Sequence, residues 1–93
     1  MDISKKFESI DDFENVYVVK VTANKTSVCY ICSRYTLNSN LLTLLNPRVV
    51  DKQRNIVDQH LIEFSMTVPP NTILDIKGFK KVFFIKAFSD NLI

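Results

Sequence analysis

The sequence predicts a mainly β fold, α+β at the margin: a small antiparallel barrel or sandwich of five to six strands with one or two short helices, residues 1–93 forming a single domain. Three observations predict it. Residues 16–23 and 26–36 are rich in β-branched and aromatic side chains and are separated only by Asn24-Lys25. Across residues 60–68, His60, Ile62, Phe64, Met66 and Val68 alternate with Leu61, Glu63, Ser65 and Thr67, the period of a strand with one buried face. Residues 73–77 and 82–88 then look like a second hairpin, so the chain offers neighbouring strands that pair antiparallel and curl into two layers.

Taken in order, residues 1–8 are polar apart from Met1, Ile3 and Phe7 and are expected to fray. Ser9 is a candidate cap for a short helix over 10–15, with Asp11, Asp12 and Glu14 near its positive end and Ile10 and Phe13 able to pin it. A two-residue Asn24-Lys25 loop puts Tyr17, Val19, Val21, Val28, Tyr30 and Cys32 on one face, the better core candidate. The other face then carries Val16, Val18, Lys20, Cys29 and Ile31. Within 37–46, four leucines after Ser39 and Asn40, closed by Pro47, read as another short helix. Residues 48–51 read as an edge strand and 52–55 as a polar turn. The strand at 60–68 ends at Pro69-Pro70, because neither residue has an N–H for a ladder. Gly78, the only glycine, reads with Phe79 as a tight hairpin loop that sets Lys77 opposite Lys80. The returning stretch 82–88, apolar on both faces apart from Lys86, is then expected to be a doubly covered central strand. Residues 89–93 are expected to trail off.

With 46% apolar and 24% charged residues the chain has the composition of a folded globule, and a formal charge of +2 is not the strongly basic footprint of most nucleic-acid modules. No run has the length of a signal peptide core or a membrane span, so a cytoplasmic protein with no membrane association is expected. Heavy use of Asn, Ile, Lys and Phe, with two alanines and one glycine, is what an AT-rich genome produces. A virus, a phage or a low-GC bacterium is the expected source, and the host cytoplasm the expected location if it is viral.

Little in the sequence carries chemistry. Cys29 and Cys32 form a Cys-x-x-Cys, but three positions apart on a strand they point to opposite faces, and His60 is the only histidine. Independent structural thiols are expected, with no metal and no cofactor. Neither a phosphate-cradling glycine loop nor a nucleophile placed for His60 is visible, so the chain is not expected to be an enzyme. Residues 77–84, Lys-Gly-Phe-Lys-Lys-Val-Phe-Phe, resemble the longer RNA-contacting motif of RNA-recognition domains. Lys80 stands where that motif has a small residue and Lys81 where it has a base-stacking aromatic. Too few residues follow for the family's last helix and strand, so the stretch is read as a glycine turn entering an aromatic strand. The expected partner site is Lys77, Phe79, Lys80 and Lys81 at the hairpin tip, with Arg34 and Tyr35. Its function is expected to be non-enzymatic protein binding, by occupying a partner's surface. The alternative is single-stranded nucleic-acid binding, with Tyr17, Tyr30, Tyr35 or Phe79 stacking on bases. An exposed edge strand would also support a homodimer.

Overall fold

Asn24 and Lys25 both take left-handed backbone angles (φ 51° and 66°), which is what a two-residue turn matching the twist of its strands requires. In the computed structural model, which describes residues 6–93, this turn joins β1 (Asn15–Ala23) to β2 (Thr26–Cys32), with Val21 opposite Val28 and Tyr17 opposite Cys32. The chain bends at Ser33 into β3 (Arg34–Asn38), then turns at Ser39 (φ 54°) into β4 (Leu41–Leu45). Residues 37–46 are therefore a hairpin rather than a helix. Leu42 and Leu44 are buried at alternate positions and Thr43 stands between them, a period of two that the helix propensity of leucine obscured.

Next come β5 (Arg48–Val50), β6 (Ile56–Asp58), β7 (Glu63–Thr67) and β8 (Ile73–Lys80). The fold is mainly β, with a five-stranded antiparallel sheet ordered β6-β5-β2-β1-β8 and a three-stranded one ordered β3-β4-β7, packed face to face as an open sandwich. The 48–51 segment is not an edge, since β5 lies between β2 and β6. The predicted turn after it holds: the Asp51 carboxylate accepts the backbone N–H groups of Gln53 and Asn55 at 3.0 and 2.8 Å. On β7 the expected inward face is right for Phe64, Met66 and Val68. It fails for His60 and Ile62, because His60 is left-handed (φ 56°) and Ile62, 82% exposed, precedes the strand.

Gly78 is not a turn. It lies inside β8 opposite Tyr17, with no positive φ, and the strand stays in register with β1 as far as Lys80. Beyond that point the Lys81 N–H donates to Glu14 O, and β1 offers no further pairing partner before Asn15. Residues 82–88 therefore form no strand. The segment winds into α1 (Lys81–Ser89), so that Phe84 and Phe88, one turn apart, reach the same core. A left-handed Asn91 (φ 58°) ends the helix, with Leu92 N–H bonded to Ala87 O at 2.8 Å.

The doubly covered central strand is β1. One of its faces packs Val19, with Tyr17 and Val21, against Cys32 and the second sheet's Leu42, Leu44, Phe64 and Met66. Its other face packs Val16 against Ile31, Phe84, Phe88 and the N-terminal residues Phe7, Ile10 and Phe13. The expected helix at 10–15 is instead a 3-10 turn at Glu8–Ile10, and no side chain caps it; Ser9 makes no cap bond. Within the stretches expected to fray, Phe7 is buried edge-on to Phe84 and Phe88 at 6.2 and 5.9 Å. At the other end, Ile93 O accepts the Arg54 guanidinium at 2.8 Å. Residues 1–5 of that expectation lie outside the described residues.

Candidate functional site

Because α1 is anchored by Phe84 and Phe88, the helical period fixes which residues face away. Val82 and Phe83 are 66% and 62% exposed, on a helix whose remaining outward residues include Lys86 and Ser89. Lys86 lies 3.6 Å from the Asp90 carboxylate. Exposed Lys80 precedes the helix, and the Lys81 ammonium is held 2.7 Å from Asp11 O. The site is thus an apolar pair on a fixed helix, bordered by charged groups.

Lys77, Phe79, Lys80 and Lys81 do not form the expected hairpin tip, since the first three lie in β8 and Lys81 opens α1. Lys77 and Phe79 share one face of β8, opposite Val18 and Val16, while Lys80 points to the other face. Lys77 is not opposed to Lys80, because the two lie on the same strand, paired with Val18 and Asn15 of β1. Phe79 is half-buried, its ring 6.4 Å from that of Phe84. Tyr35 packs edge-on to Tyr17 at 5.3 Å, and Tyr30 lies 6.1 Å from Phe64, so these rings are spent on the core. Arg34 lies on the outer face of the second sheet and helps to wall a cleft. Val82 and Phe83 escape a sequence reading because the apolar run containing them also fits a strand. The signal that could have found them is Asp90-Asn91, a helix-ending pair directly after Phe84 and Phe88 at helical spacing.

The surface carries several depressions. The first, about 500 Å3, is polar and lined by Asp12, Glu14, Arg34, Asn46 and Arg48 around Phe13. Arg48 is committed to structure there: its Nε and Nη2 donate to Ser9 O at 3.1 and 2.6 Å, its plane covers Phe13, and Asp58 lies 3.5 Å away. Ser33, the hydroxyl on this wall, donates to Leu45 O and accepts from Asn46 Nδ2, which fixes the corner between the sheets. The second, about 300 Å3, has an apolar floor of Val18, Ile31, Val50 and Phe88 and a rim of Lys20, Lys52 and Arg54. Burial pushes the Cys29 thiol at its side up, against the opposing pull of Lys20 and Arg54. Arg54 itself stacks 4.3 Å from the Phe88 ring and donates to Phe88 O and Ile93 O.

Cys32 is fully buried on the opposite face of β2 from Cys29, as strand spacing requires, and both thiols are free. Burial pushes Cys32 up to about 12, its backbone hydrogen bond with Arg34 working the other way. Among the described residues no group of three His, Cys, Asp or Glu side chains could hold a metal ion, and no helix is long and apolar enough to cross a membrane. Comparison with known protein families, with curated proteins and with solved structures finds no match to this chain.

Proposed function

We propose that the protein is a non-enzymatic binding module whose partner is another protein, engaged through the exposed face of α1. The observation that carries this is the Val82-Phe83 pair. A helix held rigidly by two buried phenylalanines presents an aromatic and a branched side chain to water where polar residues would cost nothing in packing. Aromatic anchors on a rigid element, rimmed by polar groups, are how protein interfaces concentrate binding energy. The complementary surface is an apolar pocket on the partner with carboxylates near its edge, facing Lys80 and Lys86. The nucleic-acid reading is the weaker one, since Tyr17, Tyr30, Tyr35 and Phe79, which would have to stack on bases, are packed against protein.

Affinity capture from source cells, with and without nuclease, tests this with the wild-type chain and a Val82→Ser, Phe83→Ser double variant. The expected result is a protein retained after nuclease treatment and lost from the double variant, while circular-dichroism melting is unchanged. Retention by the double variant, or loss of all bound material on nuclease treatment, overturns the reading.

A further inference from the structure

β8 carries a second surface, in its backbone rather than its side chains. Among the described residues it pairs with β1 alone, through eight consecutive opposed pairs from Thr22↔Ile73 to Asn15↔Lys80. No proline or bulge interrupts it, so it lacks two of the devices that blunt an edge. The direction of its peptide groups follows from the Asn24-Lys25 turn. A two-residue hairpin makes Ala23 and Thr26 a hydrogen-bonded pair, and alternation then turns the peptides of Tyr17, Val19 and Val21 toward β2 and those of Val16, Val18, Lys20 and Thr22 toward β8. The Lys81 N–H to Glu14 O bond, two residues before Val16, agrees with this phase. On β8 the inward-bonding residues are therefore Ile73, Asp75, Lys77 and Phe79, and the peptides of Leu74, Ile76, Gly78 and Lys80 face outward along the edge.

We propose that a second copy of this chain occupies that edge, with β8 paired antiparallel to β8 about a two-fold axis through Ile76. Outward peptides bond only to outward peptides, so symmetric registers differ by moving the axis a whole residue at a time. With the axis at Asp75 the aspartate opposes itself, and with the axis at Lys77 the lysine does; both juxtapose like charges. An axis at Leu74 or Gly78 leaves one end of the strand without a partner. At Ile76 every outward peptide is matched: Ile76 with Ile76, Leu74 with Gly78, Lys80 with Thr72. On the charged face Asp75 then lies opposite Lys77 twice over, and Ile73, 67% exposed, lies opposite Phe79. Lys77, which alone would guard the edge against pairing, is neutralised in this register. The five-stranded sheet continues through both copies. This assignment is independent of the reading of α1.

Analytical ultracentrifugation across a concentration series tests it with the wild type, Lys77→Asp, Asp75→Lys, and the double variant Asp75→Lys with Lys77→Asp. The wild type is expected to dimerise, each single reversal to raise the dissociation constant by about tenfold or more, and the double reversal to restore dimerisation. Restoration separates lost pairing from a folding defect. Zero-length carbodiimide coupling in a mixture of isotopically light and heavy chains should give mixed-isotope Asp75–Lys77 peptides. A wild-type chain that stays monomeric throughout, a dimer indifferent to the single reversals, or Asp75–Lys77 links confined to one isotope overturns the proposal.

Discussion

A methyl group on residue 78 would stand 2.8 Å from Tyr17 Cε1 and 3.1 Å from its Cδ1. The Tyr17 ring also packs edge-on against Tyr35, so moving it aside disturbs that contact. The glycine is needed for room and not for backbone freedom. Gly78→Ala is expected to cost about 1–3 kcal/mol in chemical denaturation, and adding Tyr17→Val should recover most of that difference. A Gly78→Ala chain as stable as its parent would show that the ring can move. Cys32 sets a second expectation at this scale. Its thiol stays protonated up to about 12 in the folded chain, whereas an ordinary thiol ionises at 9.0. Between those values the unfolded chain has released a proton that the folded chain keeps. Stability from this group is therefore intact below about pH 9 and falls as pH rises through the window. Melting followed above pH 9 should decline more steeply for the wild type than for Cys32→Ala.

At the scale of elements, the β1–β2 turn is the place to add stability. Lys25 holds a left-handed angle that an L-residue with a long side chain adopts at a cost, and Asn-Gly is the preferred pair for this geometry. Lys25→Gly is expected to stabilise by about 1 kcal/mol, read as a raised denaturant midpoint. The same turn explains what is legible in the sequence. Where strands are joined by two residues, the register is local, and every opposed pair from Tyr17 to Ala23 can be read from the residues themselves. β7 is bounded on one side by Pro69-Pro70 for an equally local reason. The pairing of β8 with β1 is not readable in this way, because nothing near Gly78 records that Tyr17 needs its space. With Gly78-Phe79 read as a loop, the run after it has to be a strand, and α1 with its exposed Val82 and Phe83 is lost. Of the expected site, Lys80 still borders the helix face, while Arg34 and Tyr35 belong to the second sheet. Short apolar runs such as 82–88 fit either period, and only their distant packing partners decide between them.

For the whole molecule, β1 is buried on both faces, so two cores share one strand. Phe84 is the point where the N-terminal turn, the sheet and the C-terminal helix meet: its ring lies near those of Phe7, Phe79 and Phe88. Phe84→Ala is expected to cost about 3–5 kcal/mol, a large part of the stability of a chain this short. Its thermal transition should be lowered and broadened, and an unchanged melting curve would mean that the aromatic cluster carries little of the fold. The two neighbours of β1 also differ in when they become available to a growing chain. β2 follows it within one hairpin, but β8 is synthesised only after every other strand. At about 5–20 residues per second, a ribosome-bound chain spends seconds with this doubly covered strand paired on one side only. During that interval the peptide groups of Val16, Val18, Lys20 and Thr22 that later bond to β8 are open to water, and the sheet closes only when the last strand arrives.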